Sequence, residues 1–169
     1  MATPNNARPL DPSIIFGGVE QTSEDERTTH AASCHCGAVQ FNVTLKWPFP
    51  KYPVNKCSCS ICVSTGYLLV YPCHRDVVFI QGYENMASYK FNTKTKAHMF
   101  CKTCGTSIGI DFLRAEQGEL DPAKHTFGIN VRTFKDLDLD ALEYTVFDGK
   151  KLIPTVDNVL RDKKDQSED

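Results

Sequence analysis

The stretch NKCSCSICVSTGYL, residues 55–68, places three cysteines close together, at Cys57, Cys59 and Cys62. A structural zinc site normally closes with four protein ligands, whereas three ligands and an open position are typical of a zinc ion that does chemistry. Whether this group is open or closed therefore depends on where the other cysteines of the chain lie.

Two close-set cysteine pairs flank this group in the sequence. Each pair is followed directly by a glycine, Gly37 or Gly105, which suits a tight turn with a positive φ. Gaps of one or two residues allow both thiolates of a pair to turn toward one metal ion. The paired residues are Cys34 and Cys36 before the group, and Cys101 and Cys104 after it.

Ligand counting favours one division of these cysteines. The two pairs close one site with four sulfurs, and Cys57, Cys59 and Cys62 remain as a three-sulfur set. The competing division joins the middle group to one pair and leaves the other pair without a metal. A further cysteine, Cys73, stands alone in the sequence. It is either a fourth ligand for the middle group or, more simply, a small buried apolar residue.

The composition is that of an ordinary globular protein. The 169 residues fit one domain, 41% of them are hydrophobic, and 19 basic against 21 acidic residues give a net charge of −2. This charge balance gives no general reason to expect nucleic acid or an anionic membrane as a partner. No signal-peptide pattern or membrane-length apolar run is present, so we expect a cytoplasmic or nuclear protein. In a reducing compartment, clustered cysteines indicate metal binding rather than disulfides.

Short alternating apolar segments separated by Gly, Pro and Asn predict a mainly β fold with short helical turns. We expect such turns after Cys59 and over residues 136–142. The composition predicts a flexible N-terminal extension over residues 1–28, a zinc-binding domain over 29–160 and a charged tail over 161–169. The predicted strands cover residues 38–45, 67–71, 77–80, 86–91, 97–101, 107–112 and 126–131.

Three motifs contain the clustered cysteines in a fixed order: S-C-H-C-G-A-V-x-F at residues 33–41, C-x-C-S-x-C at 57–62, and F-C-x-x-C-G at 100–105. Together they resemble the glutathione-dependent formaldehyde-activating enzyme and centromere protein V family. Y-x-F-N-T at 89–93 and the nearby His98 extend the similarity, which covers roughly residues 29–147. The chain departs from the family at Ser58, where many members carry histidine.

The resemblance implies a β-tent fold of antiparallel sheets that holds two zinc ions, one structural and one catalytic. It also implies glutathione as a co-substrate and a carbon–sulfur lyase as the class of enzyme. On this sequence the structural ligands would be Cys34, Cys36, Cys101 and Cys104, and the catalytic ligands Cys57, Cys59 and Cys62. This assignment of ligands matches the division that ligand counting favours.

Three thiolates on Zn²⁺ leave a site of formal charge −1 with one position open. Donation from three sulfurs makes the metal a weak Lewis acid, so capture of a thiol is a more natural task than generation of hydroxide. A bound thiol such as that of glutathione could be delivered to a carbonyl carbon to give an S-hydroxyalkyl adduct, or released by the reverse reaction. The sequence therefore predicts a lyase that acts on a small-molecule thiol or thiol adduct.

An alternative reading is a non-catalytic, zinc-stabilised module that binds a protein or nucleic acid. A long basic extension would favour this reading, and the sequence contains none. His98 could orient substrate, although a strand histidine is more often only hydrogen-bonded, and His35 should point to solvent. Several basic residues could bind the carboxylates of glutathione, although each is more simply explained as surface charge. They are Arg75, Lys90, Lys94, Lys96, Lys102 and Arg132.

Overall fold

The computed structural model describes residues 7–153, which form eleven strands in two sheets. The strands are β1 (Arg8–Pro9), β2 (Thr28–Ser33), β3 (Gln40–Leu45), β4 (Val54–Cys57), β5 (Leu69–Val70), β6 (Val77–Gln81), β7 (Met86–Tyr89), β8 (Ala97–Cys101), β9 (Ser107–Asp111), β10 (Phe127–Asn130) and β11 (Tyr144–Phe147). The α-helices are α1 (Pro12–Ile15), α2 (Ser60–Thr65) and α3 (Gly149–Leu152). Single 3₁₀ turns span Val19–Gln21, Glu24–Glu26, His74–Asp76, Tyr83–Asn85, Pro122–Lys124, Val131–Thr133 and Leu139–Ala141.

The large sheet has the strand order β1-β11-β4-β5-β10-β9-β8-β7, and the small sheet the order β2-β3-β6. Most neighbouring strands are antiparallel, which confirms the predicted mainly β architecture with antiparallel sheets and few short helices. Two pairs differ, because β11 runs parallel to both β1 and β4. Long connections separate these strands in the sequence, so no tight hairpin forces them to be antiparallel.

Every predicted strand is present, with its ends shortened by up to two residues in most cases. The predicted helical turns are also present, as α2 and as the 3₁₀ turn Leu139–Ala141. The strands β1, β2, β4 and β11 were not predicted. Three of them, β1, β4 and β11, have four residues or fewer. β2 and β4 contain many small or polar residues, so no apolar alternation marks them.

The core lies where the two sheets face each other. In β3 every second residue, Phe41, Val43 and Leu45, is buried, as expected for a strand with one face on the core. Phe79 of β6 joins the sheets, because its ring lies 5.3 Å from that of Phe41 and 6.5 Å from that of Phe127 in β10.

Part of residues 7–28 packs against the rest of the fold: Ile15 and Gly18 are buried, whereas the other residues of this segment are exposed or half-buried. The helix α1 begins after Asp11, whose carboxylate accepts a hydrogen bond from the Ser13 amide at 2.9 Å. Its last residue, Ile15, is completely buried. The Ile15 carbonyl accepts a hydrogen bond from the buried Tyr52 hydroxyl, so apolar burial and a polar contact hold the same residue.

A buried lysine makes a second attachment for the same segment. Lys46, which follows β3, is only 2% exposed. Its Nζ donates hydrogen bonds to the Phe16 carbonyl at 2.6 Å and to Gln21 Oε1 at 2.9 Å. Because a buried ammonium group is costly without such acceptors, residues 16–21 have to stay in place for Lys46 to be buried.

The domain limits themselves stay a prediction. Residues 1–6 of the predicted extension, the end of the predicted domain at 154–160 and the predicted tail at 161–169 lie outside the described residues. Among residues 7–153, no helix has the length and hydrophobicity needed to span a bilayer.

We expect Ile15→Ala to destabilise the protein by about 3 kcal/mol, because the change removes a fully buried side chain and leaves a cavity. Urea denaturation followed by circular dichroism measures this difference. The matched control is Ile14→Ala in the same helix, where the side chain is 40% exposed. It should cost less than about 0.5 kcal/mol, and equal losses for the two variants would contradict the packing described for α1.

Candidate metal and active site

Two turns bring the first group of cysteines together. Cys34 and Cys36 lie in the turn between β2 and β3, and Cys101 and Cys104 at the turn between β8 and β9. The glycines after each pair have positive φ, 78° at Gly37 and 74° at Gly105, which only glycine adopts without strain. A hydrogen bond of 3.1 Å from the His35 amide to Thr106 Oγ1 joins the two turns.

The spacing of the sulfurs in this four-cysteine group fits a tetrahedral metal ion. All four Sγ atoms lie within 4.8 Å of one another. Cys36 Sγ lies 3.6 Å from Cys34 Sγ and 3.8 Å from Cys101 Sγ. Zn–S bonds of about 2.3 Å in a tetrahedron place the sulfurs about 3.8 Å apart. The four residues could therefore hold Zn²⁺ with little rearrangement.

Polar groups of neighbouring residues form hydrogen bonds with three sulfurs of the four-cysteine group. The Val39 amide donates to Cys34 Sγ at 3.2 Å, and the Asn85 side-chain amide donates to Cys101 Sγ at 3.4 Å. A hydrogen bond with Thr106 is the main reason that the pKa of Cys104 falls to about 5. Hydrogen bonds to the charged form of a ligand stabilise it in the state that binds metal.

The second group consists of Cys57, Cys59 and Cys62. Cys57 ends β4, Cys59 immediately precedes α2 and Cys62 lies in the first turns of that helix. Their Sγ atoms also lie within 4.8 Å of one another. A strand end followed by a helical turn thus brings three sulfurs to one point, as the C-x-C-S-x-C spacing predicts.

The three thiols lie close enough to shift one another's pKa values in opposite directions. Bonds from Cys57 and Cys62 lower the pKa of Cys59 to about 3, and the bond to Cys59 is the main reason that the pKa of Cys57 rises to about 11. Hydrogen bonds to Cys57 and Cys59, and then burial, raise the pKa of Cys62 far above its usual range. Full ionisation of all three needs a cation among them, so this donor set fits Zn²⁺.

Cys73 belongs to neither of the two groups. It is fully buried, and its thiol donates a hydrogen bond of 3.1 Å to the Ala123 carbonyl. The structure therefore places it as a small buried residue and leaves the three-cysteine group without a fourth cysteine. His35 is exposed, as predicted for a residue between two cysteines of one turn.

Helix α3 packs against the three-cysteine group so closely that it needs a glycine. A Cβ atom on Gly149 would lie 2.5 Å from Cys57 Sγ and 2.9 Å from Cys59 Cβ. The Ser58 hydroxyl fixes this approach, because it donates to Asp148 Oδ1 at 2.9 Å and accepts from the Lys150 amide at 3.1 Å. Ser58, where the family often has histidine, thus joins the cysteine loop to α3.

The three-cysteine group forms part of the lining of a cavity of about 320 Å³. The rest of the lining is mainly apolar and comes from both ends of the described chain as well as from the middle. Lys96 and His98 also line it, whereas the other basic residues considered from the sequence do not. Apolar residues of this lining are Leu10, Phe16, Phe91, Phe112, Phe147 and Ile153.

His98 is buried in β8 and faces this cavity. Its ring lies 5.4 Å from the Phe91 ring and 6.1 Å from the Tyr67 ring. Its charged form would be one of the groups that lower the pKa of Cys59. His98 is therefore not an exposed strand histidine, and its role toward a substrate stays a prediction.

A polar pair also contributes to the cavity lining. Asn55, 1% exposed, precedes Cys57 by two residues on β4, so both side chains lie on one face of the strand. Its side-chain amide donates a hydrogen bond of 2.7 Å to the Tyr71 hydroxyl. Burial, together with the nearby Cys62 and Cys57, raises the pKa of Tyr71, so this hydroxyl stays protonated at neutral pH.

Residues 29–136 match the family model described as glutathione-dependent formaldehyde-activating enzyme. This match covers well over half of the chain. The chain belongs to this family. The two turns of the four-cysteine group and the whole three-cysteine group lie within the matched region, whereas β1, α1, β11 and α3 lie outside it.

Similar proteins agree with this assignment. A curated protein of Halomonas elongata, named provisionally as a glutathione-dependent formaldehyde-activating enzyme, is 34% identical over 86 residues. The match covers 46% of this chain and 53% of that protein, so the chain spans about half the length of this relative. A crystal structure of a Rhodobacter sphaeroides protein is 30% identical with a TM-score of 0.56, and covers 69% of this chain and 99% of its own.

Sequence reasoning missed several residues of the site. Asn55 could have been found, because it lies two residues before Cys57 and a strand there would place both on one face. Tyr71 belongs to a predicted strand but to none of the cysteine motifs, and Gly149 carries no motif. Phe16 and Phe147 reach the site only through the packing of segments that are distant in sequence.

We expect Gly149→Ala to lower the zinc bound by the purified protein from two ions to about one, because the added methyl group would displace Cys57 Sγ. Inductively coupled plasma mass spectrometry measures the zinc content. The matched control, Leu152→Ala, changes an exposed side chain of the same helix and should leave two ions. Two tightly bound ions in Gly149→Ala would contradict the described contact.

Proposed function

We propose that the protein is a zinc-dependent carbon–sulfur lyase that forms or cleaves a thiol adduct, with glutathione as the thiol. One observation carries the proposal: the sulfurs of Cys57, Cys59 and Cys62 line a cavity large enough for a small molecule. Membership of the family and the provisional name of the Halomonas elongata relative support glutathione as the thiol.

Within this proposal the two cysteine groups have different tasks. The four-cysteine group has a full set of ligands for a structural zinc ion and joins two distant turns, in a β-tent fold as in the family. The three-cysteine group leaves one position for substrate. Zn²⁺ held there would accept a thiol at its open position and favour the thiolate form near neutral pH. We expect the protein to act in the cytoplasm.

The reaction balances without a further reactant. In the forward direction the thiol sulfur forms a bond to the carbonyl carbon, the π electron pair moves to oxygen, and oxygen takes up the proton that the thiol gave up. The reverse reaction breaks the C–S bond, returns its electron pair to sulfur and restores the carbonyl. The apolar walls keep water away from the reacting atoms, and Lys96 supplies a positive charge for a carboxylate of glutathione.

The alternative reading, a non-catalytic zinc-stabilised binding module, explains the four-cysteine group equally well. It gives no reason for a cavity that ends on three clustered sulfurs, because a binding module needs closed metal sites. For this reason we prefer the enzyme.

We expect Cys59→Ala to abolish adduct formation and to lower the zinc content from two ions to one, because the catalytic ion would lose one of three ligands. The assay combines glutathione with a panel of small and large aldehydes and follows adduct formation by NMR exchange spectroscopy. Metal analysis is carried out on the same samples.

The control for this experiment is Cys73→Ala, which removes a cysteine that belongs to neither group. It should retain two zinc ions and wild-type turnover once the protein is folded. Unchanged turnover in Cys59→Ala would overturn the proposed function, and loss of one zinc ion in Cys73→Ala would overturn the assignment of ligands.

A further inference from the structure

We infer that the physiological substrate is the thiol adduct of a large apolar aldehyde, whose hydroxyl group is held by Asn55 and Tyr71. This inference rests on the proposed function, since it names the substrate class for the same site. The inference is supported by the size of the cavity, by its mainly apolar lining and by the positions of two buried polar groups. None of these observations depends on the zinc ion.

The cavity is much larger than a one-carbon electrophile requires. A volume of about 320 Å³ compares with the roughly 30 Å³ that a water molecule occupies in the liquid, and with the roughly 150 Å³ of an engineered apolar cavity that binds benzene. Formaldehyde is close in size to water and would leave most of the space unfilled. A group of two fused rings, or an aliphatic chain of similar volume, would occupy much more of it.

The walls of the cavity are aromatic and aliphatic over most of their surface. Phe112 directly follows β9, and Phe91 lies in the loop between β7 and β8. The ring of Phe16 lies 4.8 Å from the ring of Tyr71. Burial of apolar ligand surface against such walls contributes about 25 cal/mol per Å². An apolar substituent gains this free energy, and a hydrated polar one loses hydrogen bonds to water.

Several wall residues lie outside the region that matches the family model, residues 29–136. Leu10, Pro12 and Phe16 come from the N-terminal segment, and Phe147 and Ile153 from β11 and the end of α3. The family region supplies the cysteines, whereas these flanking segments enclose the space above them. Part of the cavity wall is therefore formed by segments outside the region that matches the family model.

Asn55 and Tyr71 present a matched acceptor and donor to the cavity. Asn55 Oδ1 is buried and has no hydrogen-bond partner among the described residues, although its amide nitrogen donates to Tyr71. The Tyr71 oxygen accepts that bond, so its own hydrogen can be donated to a ligand. A hydroxyl group both donates and accepts, as the carbon-bound hydroxyl of an S-hydroxyalkyl adduct does.

The charge of the cavity lining predicts where the glutathione part and the apolar part of the adduct lie. Glutathione carries two carboxylates, and Lys96 is the one lysine or arginine in the described lining. Burial of both carboxylates among aromatic side chains would be strongly unfavourable. The tripeptide should therefore lie toward solvent near Lys96, with the apolar part of the adduct inside the cavity.

The first test compares two stable thioethers, S-(2-naphthylmethyl)glutathione and S-methylglutathione. We expect the naphthyl compound to bind the zinc-loaded protein at least tenfold more tightly, as measured by isothermal titration calorimetry. Equal affinities, or tighter binding of the methyl compound, would overturn the inference about the apolar group.

Two variants localise this preference to the wall. Leu10→Trp fills part of the cavity and should reduce the naphthyl preference at least fivefold, with binding of S-methylglutathione little changed. Leu152→Trp makes the same substitution at an exposed position and should keep the full preference. Thermal unfolding and zinc content confirm that both variants are folded, and an unchanged preference in Leu10→Trp would overturn the wall assignment.

A third variant tests the polar pair separately from the wall. Tyr71→Phe removes the hydroxyl, so kcat for adduct formation from glutathione and 2-naphthaldehyde should fall about tenfold or more. Its affinity for S-(2-naphthylmethyl)glutathione, which has no hydroxyl on the reacting carbon, should stay within twofold of wild type. A fall in that affinity with unchanged kcat would overturn the role of Tyr71.

The outcomes separate this inference from the proposed function. A protein that forms adducts from glutathione and formaldehyde but binds the two thioethers equally would retain the function and lose the inference. A protein that prefers the naphthyl compound but forms no adduct with any aldehyde would lose the proposed function, although its cavity selects apolar groups.

Discussion

Three thiolate sulfurs within 4.8 Å of one another repel each other unless a cation lies among them. This electrostatic constraint organises the structure around Cys57, Cys59 and Cys62. Gly149 has no Cβ, so α3 can close against the sulfurs, and Ser58 fixes the distance by two hydrogen bonds. Cys73 is bonded to the Ala123 carbonyl and does not complete the group. The site is tightly packed around its sulfurs on one side and borders a cavity on the other.

Much of this arrangement could be predicted from the sequence, because cysteine spacing is a local property. A gap of one or two residues limits where two sulfurs can point, so the division into four and three follows from counting ligands. The structure brings together the same two groups. The strands β3, β8 and β9 could be predicted for a similar reason, since alternation of apolar residues reports which face is buried.

The cavity could not be predicted, because it depends on contacts between residues far apart in the sequence. Phe16 reaches it through a segment whose composition suggests a loose extension, yet Ile15 is buried and Lys46 needs the Phe16 carbonyl. Composition cannot reveal a few buried residues within a polar stretch. Phe147 lines the cavity because β11, on which it lies, pairs in parallel with β4. Parallel pairing between distant segments has no turn signal in the sequence.

β1 pairs with β11, and Arg8 lies opposite Thr145. The cavity wall formed by Leu10, Pro12 and Phe16 therefore adjoins a contact between the two ends of the described chain. β1 has only two residues, both exposed, and lies at the edge of the large sheet. Such an edge opens at a lower free energy than a buried strand. None of the cysteines lies on a strand that pairs with β1, because β4, which carries Cys57, pairs with β11 and β5. Mild denaturing stress should therefore loosen substrate selection first, while the chemistry at the sulfurs persists.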